Sequence, residues 1–191
     1  MSENITQIIK DTTSNPAPIG LLGFGMTTVL LNIHNAGFMQ LDTVIVALGV
    51  FYGGLAQFIA GVMEWKKGNT FASTAFVSYG TFWWTFLAVL IFLPKAGIHA
   101  VSAVTLTWYL VLWTIFTLGM FIATLKLSKS LQLIFLTLTI LFLFLDIHVA
   151  TGSELFEHLA GYIGIICGAL AMYTGLAEVI NEVHGNKVFP L

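Results

Sequence analysis

Residues 15–28 read NPAPIGLLGFGMTT and open an uncharged run from Thr12 to Leu41 that only His34 interrupts. The two prolines suit the first turn of a helix, where a missing backbone N–H costs nothing and a fixed φ helps. The glycines that follow leave part of the helix without side chains, so a neighbouring helix or a solute can approach its backbone. The stretch therefore predicts that a polar tail passes here into a first membrane-spanning helix.

Polar but uncharged side chains continue along the same predicted helix. Thr27, Thr28, Asn32 and Asn35 lie where a hydrogen-bonding group is costly unless it has a partner or lines a wet path. Small and polar residues are also common contacts between transmembrane helices. The pattern alone leaves both interpretations open.

The composition of the whole chain points to lipid as its solvent. Of the 191 residues, 58% are hydrophobic and only 8% are charged, and the mean hydropathy is +0.93. Soluble domains carry about 25% charged residues, so we expect a multi-pass helical protein of the cell membrane. The basic residues are all lysine and the net charge is −2, which argues against nucleic acid as a partner.

Six segments are long and apolar enough, or nearly so, to cross a hydrocarbon core of about 30 Å. They are residues 18–37, 43–64, 70–93, 100–124, 130–150 and 157–180. The predicted fold is an all-α membrane protein, a single domain over residues 1–191 whose six helices form three hairpins around a pore. Residues 1–17 form a tail, in which residues 2–11 have the spacing of a short amphipathic surface helix.

Polar residues at the predicted helix starts support these boundaries. Asp42, Asn69 and Ser130 are suited to cap the second, third and fifth helices. Thr151, followed three residues later by Glu154, is typical of a capping box near the start of the sixth helix.

The lysines predict the orientation of the bundle. Under a six-span topology only Lys95 falls on one side, and the other side carries Lys10, Lys66, Lys67, Lys126, Lys129 and Lys187. Because lysine and arginine are enriched on the cytoplasmic side, we expect both termini in the cytoplasm.

The sequence contains no clear catalytic constellation, so we expect neither enzyme activity nor a cofactor. The histidines also lack the close spacing of a metal site. Titratable residues nevertheless cluster around the predicted outer loop between the fifth and sixth helices: Asp146, His148, Glu154, Glu157 and His158. A metal site or a pH sensor is one interpretation of this cluster, and solvated caps and surface groups are the other.

The predicted helices contain no lysine or arginine that would hold an anion tightly. A passage lined by amides, hydroxyls and aromatic edges binds a small anion weakly and lets it leave, as a channel requires. Aromatic residues also serve as interface anchors, so each candidate has an alternative role. The candidates for a substrate path are Thr27, Thr28, Asn32, His34, Asn35, Tyr52, Gln57, Tyr79, Trp83 and Trp84.

Glu64 and Glu178 are the charged residues nearest the bilayer on the predicted cytoplasmic side. A carboxylate at mid-depth costs about 2.5–3.5 kcal/mol on insertion scales, so we expect both at the membrane boundary. Glu64 can pair there with Lys66 or Lys67. Alternatively, the two acids belong to the inner mouth of the path or to a proton relay.

Several motifs in order resemble the acetate transporter family, the succinate–acetate permeases of the GPR1/FUN34/YaaH type. The resemblance covers essentially the whole chain, and its hallmark is NPAPIGL at residues 15–21, with Ile19 in place of the usual leucine. The other pieces are LNIHNAGF (31–38), FYGGLAQ (51–57), EWKKGNTF (64–71), SYG (78–80) and EVINE (178–182).

This resemblance implies six-helix protomers that assemble as a homo-hexamer, similar in plan to the hexameric urea channels. Each protomer would have its own pore for acetate and, to a lesser degree, succinate or other short carboxylates. The resemblance also implies a narrow apolar neck, and its positions here are Phe24, Tyr79 and Leu138. The acidic outer loop is unexpected at an anion entrance.

Three functions therefore follow from the sequence. The first is a passive or weakly proton-coupled monocarboxylate channel. The second is an acetate–proton symporter in which Glu64 or Glu178 carries the proton. The third is a membrane sensor or scaffold that transports nothing.

Overall fold

The part of the chain that the structure describes contains six helices, each long and apolar enough to cross a membrane. The structure is a computed structural model that describes residues 13–191, and these residues contain no β-strand. The predicted number and order of helices are confirmed, whereas the amphipathic helix expected at residues 2–11 lies outside the described residues. The helices are α1 (Ala17–Asn35), α2 (Thr43–Lys66), α3 (Thr70–Lys95), α4 (Ala103–Thr124), α5 (Lys129–Thr151) and α6 (Glu154–His184).

Side-chain caps set the starts of the helices that follow tight turns. Asp42 accepts hydrogen bonds from the main-chain N–H groups of Val44 and Ile45, and Asn69 accepts one from Ala72, as predicted. The cap of α5 is Ser128, not Ser130, because α5 begins at Lys129.

The capping box predicted at Thr151 and Glu154 is wrong. Thr151 is the last residue of α5, and its hydroxyl donates to the main-chain oxygen of Ile147. Gly152 has a φ of 72°, the left-handed conformation that ends a helix at little cost for glycine. Helix α6 therefore starts after Ser153, which makes no side-chain cap bond.

Two helices contain a stretch of wide π-type turns that the sequence did not predict. The first is Gly49–Ala56 in α2, and the second is Ala88–Phe92 in α3. Within the first stretch, the main-chain oxygen of Val50 accepts a hydrogen bond from the Trp84 indole N–H at 3.0 Å. A side chain of α3 thus satisfies a carbonyl of α2 where the helical pattern is irregular.

The first and last helices form the closest packing in the molecule. At their crossing, a Cβ atom on Gly25 would lie 2.7 Å from the Gly168 oxygen, and a Cβ atom on Gly168 equally close to the Gly25 oxygen. Backbone therefore packs on backbone, as the glycines of α1 predicted. In lipid, the hydrophobic effect does not drive helices together. Close van der Waals packing of the two backbones stabilises this contact instead.

The predicted hairpins differ in how closely their helices pack. The pairs α1–α2 and α5–α6 pack directly, whereas the main chains of α3 and α4 stay apart. Aromatic side chains fill the space between α3 and α4: Phe82 stacks on Tyr109 with 6.1 Å between ring centroids and meets Trp113 edge-on at 5.1 Å. The aromatic cluster places large rings beside the bundle axis.

Candidate functional site

Three cavities that share walls follow one another through the bundle. The termini-side cavity, of about 200 Å³, includes Gln57 and Glu178 in its wall. The middle cavity, of about 30 Å³, includes Asn32. The far-side cavity, of about 220 Å³, includes His34 and Glu157. A path along this series would join the end that carries the chain termini to the opposite end.

Phe24, Tyr79 and Leu138 lie together between two of these cavities. All three side chains are buried, and each belongs to the walls of both the termini-side and the middle cavity. The rings of Phe24 and Tyr79 are 5.9 Å apart, measured between centroids. Because α1, α3 and α5 each supply one residue, the position of the three side chains depends on how these helices pack.

Tyr79 is fixed by contacts that the sequence analysis missed. Its hydroxyl lies 2.8 Å from the Thr117 hydroxyl on α4, and both residues are buried. Its ring also meets Trp113 at 5.9 Å, Phe116 at 5.5 Å and Phe135 at 6.1 Å. The ring is thus held on several sides, and its polar atom is satisfied away from water.

The polar residues of α1 form a hydrogen-bonded ladder beside the middle cavity. Asn32 donates from Nδ2 to the main-chain oxygen of Thr28 at 2.8 Å, and Asn35 donates from Nδ2 to Asn32 Oδ1 at 3.1 Å. An amide nitrogen has two hydrogens, so each asparagine keeps one further donor. Thr28, Asn32 and Asn35 all line the middle cavity.

Trp83 and Asn35 connect the middle cavity to the far-side cavity, since both side chains line the two spaces. His34 and His148 line the far-side cavity together with Glu157. His148 Nε2 lies 3.8 Å from Glu157 Oε2. The predicted loop cluster therefore contributes two of its members to the path.

Amide and carboxyl groups gather at the termini-side cavity. Gln57 is fully buried, and its Oε1 atom accepts no hydrogen bond. Glu178 Oε2 accepts a hydrogen bond from Asn15 Nδ2 at 2.9 Å. The first residue of the NPAPIGL motif thus holds a carboxylate of the last helix. The motif itself pointed to Asn15, but only the fold reveals its partner.

Glu64 lies two residues before the end of α2 at Lys66, and the protein encloses its side chain. It is buried, with 2% of its surface exposed, and its Oε1 atom accepts no hydrogen bond from residues 13–191. The Lys67 ammonium donates to the main-chain oxygen of Thr13 at 2.9 Å, and its charge also interacts with Glu64. Glu64 further interacts with the Asn69 side chain and lies within electrostatic reach of Glu178.

Three further candidates of the substrate path lie outside the walls of the three cavities. Thr27 is buried against α2, with its hydroxyl 3.5 Å from the Leu48 oxygen. Trp84 donates to the main-chain oxygen of Val50, and the main chain of Tyr52 packs against Gly23. These contacts support the alternative left open by the sequence, in which such residues hold helices together.

Asp146 is not the solvated group that its place near the outer loop suggested. It is 8% exposed, its Oδ2 atom lies 2.7 Å from the Thr114 hydroxyl on α4, and its Oδ1 atom has no partner. Helix α5 continues one turn beyond Asp146, so this carboxyl lies between two helices. Among residues 13–191, no group of three or more histidine, cysteine or acidic side chains is placed to hold a metal ion.

No sequence signal singled out Thr117. The buried residues of α4 are Leu110, Thr117 and Thr124, and their spacing of seven residues returns to one helix face after two turns. Thr107 and Thr114 have the same spacing and are only partly buried. The contact of Tyr79 with this face is a property of the tertiary structure.

Comparison with known proteins places the whole chain in one family. The family model described as the GPR1/FUN34/yaaH family matches residues 1–190. The chain is 53% identical over 179 residues to the succinate-acetate/proton symporter SatP of Escherichia coli K12, covering 93% of this chain and 95% of that protein.

A more distant relative and a solved structure support the same family assignment. Acetate permease A of Emericella nidulans is 31% identical over 198 residues, which cover 93% of this chain and 65% of that protein. The solved structure of the bacterial acetate channel SatP matches with a TM-score of 0.92 and 51% identity, over 94% of this chain and 99% of that one. The chain belongs to the GPR1/FUN34/yaaH family.

Proposed function

We propose that this member of the family moves acetate and related small carboxylates, succinate among them, across the membrane. The route runs through the termini-side, middle and far-side cavities. The observation that carries the proposal is the series of adjoining cavities with shared walls. Among residues 13–191, these walls contain amides, hydroxyls, aromatic rings and the acids Glu178 and Glu157, but neither lysine nor arginine. Such walls bind a small anion weakly enough to release it.

The two ends of acetate suit different parts of this route. The methyl group is compatible with the rings of Phe24 and Tyr79, and the carboxylate can accept hydrogen bonds from the spare amide hydrogens of Asn32 and Asn35. A cavity of about 30 Å³ holds only one or two waters. A carboxylate must therefore shed water, and side chains must move, where Phe24, Tyr79 and Leu138 separate the two cavities. We assign the neck to these three residues.

Liposomes that contain the purified protein test the proposal directly. Acetate entry is recorded at pH 7–8 as membrane current and internal pH together. Current that reverses at the acetate equilibrium potential, without internal acidification, supports a channel. Entry with acidification and no current supports coupling to a proton. Entry no greater than in empty liposomes refutes transport and favours a sensor or scaffold.

Substitution of Phe24 tests the neck. We expect Phe24→Ala to change acetate flux, or the preference for acetate over larger carboxylates, at least several-fold, because the barrier would widen. Phe51→Ala is the matched control, since Phe51 is a phenylalanine of α2 that is 66% exposed. Equal flux and selectivity in wild type and both variants would refute the neck.

A second candidate is acetate–proton symport, which two neighbouring acids at the termini-side end favour. Glu64 and Glu178 interact electrostatically, and Glu64 Oε1 has no hydrogen-bond partner among residues 13–191. Glu64→Gln and Glu178→Gln keep the shape of each side chain and remove its proton site. If either acid carries the proton, acetate entry should lose its accompanying acidification. Acidification that persists in both variants would exclude this role.

We also propose that the protein works as a homo-hexamer with its termini in the cytoplasm. The family resemblance supports the hexamer, and the lysine distribution supports the orientation. Native mass spectrometry of the detergent-solubilised protein would give the oligomer number. Thiol labelling of intact cells at a cysteine introduced beside Lys187 or beside Lys95 would give the orientation. We expect labelling from outside only beside Lys95. Labelling only beside Lys187 would contradict the proposed orientation.

A further inference from the structure

The far-side cavity differs from the rest of the route in that its wall can change the sign of its charge. Its titratable side chains are His34, His148 and Glu157. Each is partly buried, and none of the remaining wall residues is charged. The charge of this space therefore depends on the protonation of two imidazole rings facing one carboxylate.

Both rings are held in the same tautomer by main-chain oxygens. His34 Nδ1 lies 2.9 Å from the oxygen of Met39, and His148 Nδ1 lies 3.1 Å from the oxygen of Ser153. A carbonyl oxygen can only accept a hydrogen bond, so each Nδ1 must carry the hydrogen. Each Nε2 atom is then left to take up a proton, and that of His148 lies 3.8 Å from Glu157 Oε2.

Histidine is the side chain whose charge ordinarily changes between pH 5 and 8. With both rings neutral, Glu157 gives the wall a formal charge of −1, and with both rings protonated the wall carries +1. A cleft lined by one sign of charge changes the local concentration and entry rate of an ion by tenfold or more. The sign reversal thus opposes anion entry at high pH and favours it at low pH.

We propose that the far-side cavity is a proton-sensitive entrance, in which protonation of His34 and His148 overcomes the charge of Glu157 and admits carboxylate anions. The inference rests on the proposed transport function and adds a regulation of that route. The proton stays on the protein, so this effect is distinct from carrying a proton across the membrane. It also accounts for the acidic residue at an anion entrance.

Other titratable groups surround this end without belonging to the cavity wall. Asp42 is engaged in capping α2, Tyr109 bonds to Thr85, and Asp146 bonds to Thr114. Lys95 and His99 are exposed near the end of α3, and Glu154 and His158 are exposed on α6. These residues change the overall charge but do not face the cavity, so they provide matched controls.

The test measures protein-dependent acetate uptake into liposomes from pH 5.5 to 8, with equal pH on both sides and a constant concentration of acetate anion. Uptake by empty liposomes is subtracted at each pH. We expect wild-type uptake to fall about tenfold across this range. Glu157→Gln should raise uptake several-fold at pH 8, and His34→Gln combined with His148→Gln should flatten the profile at its low level.

The control variants are Glu154→Gln and His99→Gln, which make the same changes of charge outside the cavity wall. Both should keep the wild-type profile.

A second measurement needs no variant: raising the ionic strength from 0.01 M to 1 M shortens the screening length from about 30 Å to 3 Å. The pH dependence of wild-type uptake should shrink accordingly, whereas a proton consumed in transport is not screened.

Two outcomes would overturn the inference in distinguishable ways. Transport with a wild-type pH profile in Glu157→Gln and in the double histidine variant would refute the entrance and leave the transport function standing. A pH dependence that is unchanged by salt would do the same. Uptake by the wild type no greater than in empty liposomes would refute both proposals together.

Discussion

Helices α1 and α4 are similar in length and both cross the membrane, yet they are built in opposite ways. In α1, half of the residues of the spanning window are buried, whereas in α4 only 11% are. The buried residues of α1 are mostly glycine, threonine and asparagine, with Phe24 among them. Most exposed residues of α4 are large and apolar, and Val104, Trp108, Leu112, Ile115 and Ile122 are each at least 60% exposed.

The contrast shows which parts of a membrane protein depend on particular residues. A lipid-facing surface needs only apolar side chains, so many residues serve equally well at each position of the outer face of α4. At a helix–helix contact in lipid, association relies on close packing and hydrogen bonds. The identity of each residue in α1 therefore matters, and α1 also lines the cavities through which we propose that substrate passes.

The largest expected effect is the loss of stability when a glycine packed against α1 is replaced, compared with the same replacement on α4. A Cβ atom on Gly161 of α6 would overlap main-chain atoms of Ala36, whereas a Cβ atom on Gly119 of α4 would meet nothing within 4 Å. Overpacking costs about 1–3 kcal/mol even when side chains can move, and here main chain must move. Gly161→Ala should lower the thermal midpoint of the purified protein by many degrees or prevent its recovery.

Gly119→Ala is the matched control and should unfold at the wild-type temperature or slightly above it, because alanine favours the helix. Both variants are compared by thermal unfolding in the same detergent. Equal stability of the two variants would contradict this difference between α1 and α4, because it would mean that the contact at Gly161 accommodates an added methyl group.

The second-largest effect is expected where the hydrogen-bonded asparagines of α1 meet α6. Asn32 packs directly against Gly164 of α6, where a Cβ atom would overlap the asparagine side chain. Gly164→Ala alone should therefore destabilise by about 1–3 kcal/mol, and Asn32→Ala alone by about 1–2 kcal/mol through lost hydrogen bonds. In the double variant, the alanine methyl occupies space that the asparagine vacates.

The double variant should thus be more stable than the sum of the single effects predicts, with a coupling of about 1 kcal/mol or more. Chemical or thermal unfolding of the four proteins measures it. Strict additivity would mean that Asn32 and Gly164 are not in the contact that the fold assigns to them.

The sequence predicted α1 better than it predicted the partners of α1. Proline, glycine and the absence of charge marked the start of the helix and its close packing. Asp42 and Asn69 marked helix starts because a cap acts on the next few residues of the same chain. Ser130 and the pair Thr151–Glu154 failed because other nearby residues, Ser128 and Gly152, set those boundaries.

Residues whose environment depends on a distant segment were harder to predict. Asp146 looked like a surface group because it lies near the end of an apolar run, but α5 continues past it and α4 covers it. The contacts of Glu178 with Asn15 and of Tyr79 with Thr117 join residues far apart in sequence. No local pattern encodes these pairings.

The smallest expected effect lies at Thr117, the residue of α4 whose side chain hydrogen-bonds to Tyr79 in the proposed neck. Tyr79→Phe and Thr117→Val each remove the 2.8 Å hydrogen bond without changing the size of the side chain much. Hydrogen bonds between membrane helices are worth about 0.6 kcal/mol on average, so each variant should lose stability of that order. The double variant should lose little more than either single one, since the same bond is already broken. Thr107→Val is the matched control, because the hydroxyl of this partly exposed threonine donates to the Ala103 oxygen of its own helix. Thermal unfolding and acetate flux are measured together, and we expect flux to change in Tyr79→Phe and Thr117→Val through a looser Tyr79 ring but not in Thr107→Val. If the flux of Thr117→Val equals that of Thr107→Val, this hydrogen bond does not help to hold the neck, and position 117 would be as tolerant of substitution as the outer face of α4.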